Sequence, residues 1–203
     1  MILFLDFDGV LHPNNLSAAL FTWAPRLAAW QQSWPEVDVV ISSSWRLDHM
    51  QHEMVEVLGS AIGQRVVGCT PSVRPDPHGS GYPAEMTTDF EYERQTQIAA
   101  WMASSWDPKR AWVALDDMDF LFAPSCPQLV VCDGRQRLSH ANVQELDGHA
   151  QRAGLIQSQN PGTGSRSAGS VEIDCRARKL DRILTLEKYL KHTGSCLPDG
   201  MTT

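Results

Sequence analysis

The chain opens on MILFLDFDGVLH, Met1 to His12, apolar at first and then acidic. Five apolar residues in succession suit a parallel strand buried on both faces. They run straight into Asp6 and Asp8, and Gly9 lets the backbone turn away sharply. Alternation along a strand would send the Asp6 and Asp8 side chains to one side. Two carboxylates placed there repel each other unless a cation lies between them. Ligands of open α/β sheets bind at the carboxyl ends of the strands. The first strand therefore puts an acidic, cation-seeking pair at a ligand-binding position.

Working outward, the same pattern recurs. Asp116 and Asp117 end a second apolar run, Ala111 to Leu115, and the hydroxyl cluster Ser42, Ser43, Ser44 ends a third, Val37 to Ile41. Strands are expected near 2–6, 37–43, 65–70, 111–116 and 129–132. Between them lie amphipathic segments, the alternation that builds a parallel sheet. Pro25 suits a first helical turn, with Leu27, Trp30 and Trp34 following at helical spacing. Further helices are expected near 48–58, stopped by Gly59, near 91–104, and near 140–152, capped by Ser139. Short right-handed crossovers give the strand order 5-4-1-2-3. That order sets Asp6 and Asp8 between the serine strand and the second acidic pair. The expected architecture is a Rossmann-like three-layer α/β/α fold with a parallel five-stranded sheet.

Composition narrows the class. Of 203 residues, 42% are hydrophobic and 20% charged, as in ordinary globular proteins. No apolar run reaches the roughly 20 residues that span a bilayer, and Asp6 and Asp8 interrupt what could otherwise pass for a signal sequence. A cytoplasmic location is the expectation. Five cysteines without a CxxC pair argue against a disulfide framework or zinc site. Net charge is −7. Residues 171–203 carry six basic and five acidic groups, so the excess of acid lies in residues 1–170. Such a surface excludes bulk binding of nucleic-acid backbone. A polar, Gly- and Ser-rich stretch marks residues 157–173 as a linker. A helix is expected over 174–192 and a tail over 193–203. The first domain is thus expected to span 1–156, and the apolar stripe of the last helix offers a surface to a protein partner.

The segments FLDFDGVLHP, VVISSSWR, RVVGCTP and WVALDD, with Arg94 ahead of the last, resemble the haloacid dehalogenase-like (HAD) phosphohydrolases. They are similar in particular to the HAD domain associated with bacterial RNA-repair proteins, over roughly residues 1–150. The resemblance implies Mg²⁺ as cofactor, held by Asp6, by the backbone carbonyl of Asp8 and by an acid of the Asp116–Asp117 pair, with Asp117 the direct ligand and Asp116 its support. It implies Asp6 as nucleophile, Asp8 as general acid and base, and Arg94 as the cation that stabilises the charged intermediate. It also implies phosphate contacts from Ser43 and Ser42, a flap in the 9–24 segment, and an open site without a cap domain. Val10 replaces the threonine common after this motif, and Leu121 stands where many relatives carry a further acid.

Several residues keep two readings. Arg46 either contacts phosphate through its planar fork or pairs with Asp48 at the surface. His12 either meets substrate at the mouth of the site or sits in the flap without a role. Trp23 and Trp45 are the two tryptophans placed to stack on a base; Trp30, Trp34 and Trp101 fit helix core faces. The leading expectation is a Mg²⁺-dependent phosphomonoesterase acting on nucleic-acid ends or nucleotides. The alternatives are a small-metabolite phosphatase and a catalytically weak scaffold serving as a binding module. The serine, arginine, acid order disfavours a DxD glycosyltransferase, and the early DxD disfavours a receiver domain.

Overall fold

The strand that opens the chain lies at the centre of the sheet. The computed structural model describes residues 1–14, 19–72, 92–136 and 138–158. Five parallel strands, β1 (Ile2–Leu5), β2 (Asp38–Ile41), β3 (Val66–Cys69), β4 (Trp112–Asp116) and β5 (Leu129–Val131), are ordered β3-β2-β1-β4-β5. This is the expected order. In register, Leu5 lies between Ile41 and Leu115, so the serine turn and the second acid pair flank Asp6.

Among the described residues, four α-helices cover the sheet: α1 (Ala24–Ser33), α2 (Gln51–Gly63), α3 (Glu93–Ser104) and α4 (His140–Arg152). Ile2 and Phe4 pack with Ile98 and Met102 of α3. Trp101 and Trp112 meet the Phe4 ring edge-on at 5.6 and 5.8 Å. By alternation, Leu3 and Leu5 face the opposite layer, where α1 packs on α2. Residues Ile2 to Leu5 are all at most 1% exposed, which explains a strand apolar at every position rather than every second one. The indoles of Trp30 on α1 and Trp34 just after it are buried as expected, and both donate to Asp147 Oδ1 of α4, at 3.0 and 2.7 Å.

The helix expected to stop at Gly59 does break at that residue, and a further helical piece runs on to Gly63. Gly59 adopts φ +73°, a left-handed conformation open to glycine, so the axis breaks there and one further turn follows. The same helix starts at Gln51, because residues 44–47 form a separate 3₁₀ turn. Capping by Ser139 is as expected: its hydroxyl accepts from Asn142 N–H at 3.1 Å. Most of the 71–90 loop, the centre of the 9–24 segment, and the linker, helix and tail expected beyond residue 158 lie outside the described residues.

Candidate active site

Pairing of β1 ends at Leu5, so Asp6 leaves the sheet in line with the strand while Asp8 belongs to the turn that follows. The turn is tight: Leu11 N–H reaches back to Phe7 C=O at 2.8 Å, and Gly9 takes φ +72°. A Cβ on Gly9 would lie 2.1 Å from Asp117 Oδ2, and one on Gly134 would lie 2.6 Å from the same oxygen. The Asp117 carboxylate therefore sits in a cradle between two glycine backbones that any larger residue would fill. Gly134 was not found by reading the chain, although Asp133-Gly134 just after β5 is a turn signal.

Asp6, Asp116 and Asp117 each offer a carboxylate oxygen, and these oxygens lie within 4.8 Å of one another. Asp6 and Asp116 are 3% and 1% exposed. Arg94, in the first turn of α3 and 7% exposed, enters the same space. Its Nη1 lies 3.1 Å from Asp6 Oδ1, 3.3 Å from Asp116 Oδ2 and 2.6 Å from the Ser42 carbonyl. Burial pulls the Arg94 pKa down, but the carboxylates of Asp6 and Asp116 outweigh it and the net shift is upward. The guanidinium is thus held charged.

The acids respond in the opposite sense. Burial, and then the Asp6 charge, push Asp116 up to about 7, against Arg94 and the Met118 N–H, which favour its ionised form. The same two leading causes push Asp117 up to about 6. When all three acids ionise, three negative charges face one guanidinium, an excess equal to one divalent cation. Asp116 Oδ2 and Asp117 Oδ1 are buried with no hydrogen-bond partner, and Asp116 Oδ2 meets Arg94 without hydrogen-bonding alignment. Hard carboxylate oxygens left unpaired around excess negative charge fit a Mg²⁺ ion.

A pH dependence follows. A carboxyl whose folded pKa is raised stabilises the fold when neutral, and that contribution is lost as pH rises through the folded value. Without divalent metal, melting temperature should therefore fall between about pH 4 and pH 7. The Asp116 shift alone corresponds to on the order of 4 kcal/mol, or roughly 8–16 °C for a domain of this size. Mg²⁺ at pH 8 should restore most of it. Thermal melts of wild type and Asp116→Asn, with and without Mg²⁺, provide the check. Equal pH slopes in the two proteins would refute it.

The serine turn lies alongside. Ser42 and Ser43 are buried, and the Ser43 hydroxyl accepts from Trp45 N–H at 3.4 Å, starting the 3₁₀ turn. Arg46 differs from both sequence readings in what it holds. Its guanidinium donates to the carbonyls of Thr70, Ser42 and Ser43 at 2.9, 2.8 and 2.6 Å, and to Gln97 Oε1 at 2.6 Å. With four of its five N–H groups directed at protein acceptors, Arg46 is a brace for the serine turn. Burial and then the Arg94 charge bring its pKa down to about 10.

Asp8 stands apart from the acid cluster. Its Oδ1 lies 3.0 Å from His12 Nε2, and its Oδ2 accepts from Trp45 Nε1 at 2.9 Å. Trp45 is 6% exposed, with its ring against Phe7 and Phe21, so it is not a surface for an incoming base. Trp23 is buried as well, at 9%. Leu121 packs on the core beside Phe122, and Asp119 is exposed.

A parallel α/β sheet whose first and fourth strands deliver carboxylates to a buried arginine, beside a serine turn on the second, defines a HAD hydrolase scaffold. The chain belongs to the family described as the HAD domain in Swiss Army Knife RNA repair proteins, whose family model matches residues 2–143. HAD proteins generally use Mg²⁺, and the acidic cluster is of the kind that holds one. Comparison with curated proteins and with solved structures finds no match. Among the described residues, no helix is long and apolar enough to cross a membrane.

Proposed function

We propose that the chain is a Mg²⁺-dependent phosphomonoester hydrolase working through an aspartyl-phosphate on Asp6, with phosphorylated nucleic-acid ends or nucleotides as substrates. The observation that carries the reading is the Asp6–Asp116–Asp117 cluster, with Asp6 and Asp116 buried and Arg94 hydrogen-bonded to Asp6. The name of the family, RNA repair proteins, supports the substrate class. The acidic balance of residues 1–170 favours recognition of a terminal phosphate over contact along a backbone. A cytoplasmic setting, and a partner surface on the helix expected over 174–192, belong to the same proposal.

In this mechanism an Asp6 oxygen attacks phosphorus while the ester P–O bond breaks, and Asp8 gives its proton to the leaving oxygen. Ser42 and Ser43 bind the phosphoryl oxygens, and Arg94 faces the charge that develops on them. Asp8, now ionised, takes a proton from water as the water oxygen attacks phosphorus. The Asp6–phosphorus bond breaks, phosphate leaves, and Asp8 is protonated again. Asp6 and Asp117 would hold the Mg²⁺, with the Asp8 backbone carbonyl, and the ion supplies positive charge to an anionic substrate approaching carboxylates. Asp117 is the better direct ligand, because Asp116 Oδ1 already accepts from Met118 N–H at 2.9 Å and its Oδ2 faces Arg94.

The test is hydrolysis of p-nitrophenyl phosphate, nucleotides, and RNA and DNA carrying 3′- or 5′-phosphates, with Mg²⁺ and with EDTA. Mg²⁺-dependent release of phosphate is expected. Asp117→Ala should raise the Mg²⁺ concentration for half-maximal activity by roughly 10–100-fold, and Asp116→Ala by less. Preference for a metabolite over every nucleic-acid end would replace the substrate class by a small molecule. No turnover of any substrate would leave a binding scaffold.

A further inference from the structure

Trp45 lies between two parts of the site that the mechanism treats separately. Its backbone N–H donates to the Ser43 hydroxyl at 3.4 Å, and its indole N–H donates to Asp8 Oδ2 at 2.9 Å. An indole nitrogen only donates, so Asp8 Oδ2 is fixed as the acceptor. The other Asp8 oxygen faces His12 Nε2 at 3.0 Å. His12 is 2% exposed and four residues along, and the Phe7–Leu11 turn brings it back over Asp8. Its Nδ1 is buried with no hydrogen-bond partner. A tautomer protonated at Nδ1 would bury an unmatched N–H, so the ring proton belongs on Nε2, pointing at Asp8. The His12 ring is held by Phe21 at 5.2 Å and by Trp45 at 5.9 Å. Asp8 is the most exposed of these groups, at 28% for its side chain.

We propose that Trp45 and His12 are positioning residues which together fix the plane of the Asp8 carboxyl, so that its acidic O–H is directed at the leaving oxygen of a phosphate ester bound at Ser43. The inference rests on the reading of Asp8 as general acid in the proposed phosphatase. Two donors from different elements, one on each oxygen, remove the rotation about the Cβ–Cγ bond that a carboxyl on a turn otherwise keeps. Through Trp45, the group that binds phosphate and the group that delivers the proton move as one unit. The step served is breakage of the ester P–O bond as the Asp6–phosphorus bond forms, with the Asp8 proton going to the departing alkoxide.

Leaving-group dependence separates this role from a merely structural one. A nitrophenolate departs without a proton, whereas a benzyl alkoxide needs one. The ratio of kcat/KM on p-nitrophenyl phosphate to kcat/KM on benzyl phosphate therefore reports on proton delivery in the first step. Trp45→Phe keeps the ring and deletes the N–H, and should raise this ratio about tenfold, a part of the 10²–10⁴-fold that general acids contribute. His12→Phe should raise it similarly, and His12→Gln, which keeps a side-chain N–H donor, should restore it to within about threefold of wild type. Asp8→Asn, the control for the underlying mechanism, should raise it most. An unchanged ratio in Trp45→Phe and His12→Phe, with Asp8→Asn still raising it, overturns the positioning role and leaves the phosphatase reading standing. A wild type that releases phosphate from neither these esters nor any nucleotide or phosphorylated nucleic-acid end, or an unchanged ratio in Asp8→Asn, overturns the reading beneath it. Should Trp45→Phe prove insoluble, the histidine pair decides alone.

Discussion

Asp6→Asn should lower turnover by at least about 10⁴-fold, the scale seen when a catalytic nucleophile is deleted, while leaving the fold intact. The amide occupies the same volume at the end of β1. Its carbonyl oxygen can still accept from Arg94 Nη1, which lies 3.1 Å from Asp6 Oδ1. What disappears is the attacking carboxylate and one of the three charges that raise each other's cost. Metal-free Asp6→Asn should therefore melt at or above the wild-type temperature at pH 8, where Asp116 and Asp117 are ionised. Loss of activity without loss of stability is the signature. Turnover near wild type in a folded Asp6→Asn protein would end the covalent mechanism.

Arg94→Met should damage both stability and rate. The guanidinium is nearly buried and is the cation that meets Asp6 and Asp116 within 3.3 Å. Removing one partner of a buried ion pair leaves uncompensated charge, at a cost of roughly 3–5 kcal/mol. For a domain of this size that is a melting point lower by on the order of 10 °C. The rate should fall about 10²–10³-fold, as when a preorganised donor to a charged transition state is lost. Arg94→Lys distinguishes the causes. Among the described residues, the close contacts of Arg94 to Asp6, Asp116 and the Ser42 carbonyl are all made by Nη1. An ammonium presents three donors from one point, so lysine should recover most of the stability and much of the rate. Thermal melts and kcat of the two variants decide it. A lysine variant as impaired as the methionine variant would show that the fork itself, and not the point charge, is required.

The acids, the serines and Arg94 were legible because each sits where a hydrophobic run ends or a helix begins, and a parallel sheet collects strand ends on one edge. Strand order followed from the same alternation of runs. Directions within turns were not legible. Strand alternation suggested one side for Asp6 and Asp8, but pairing ends at Leu5, and the Gly9 turn commits Asp8 to His12 and Trp45 instead. Arg46 looked like a phosphate ligand because nothing in a linear chain shows that three buried carbonyls and Gln97 converge on its guanidinium. Gly134 lay hidden because its function is to have no side chain beside Asp117, a requirement set by a residue 17 positions away.

The single oxygen of Asp147 that receives the indoles of Trp30 and Trp34 bears on where this unit can be divided. The family match ends at residue 143, inside α4, four positions before that carboxylate. A polypeptide cut at the match would leave the Trp30 and Trp34 N–H groups in the core with no acceptor, each having lost a hydrogen bond to a charged group worth about 1.5–3 kcal/mol. It would also lose Leu146 and Ala150, both fully buried. A piece of this chain that keeps these contacts therefore reaches at least to Ala150, and swaps or fusions made at the homology edge would cut through a helix that packs on β4 and β5.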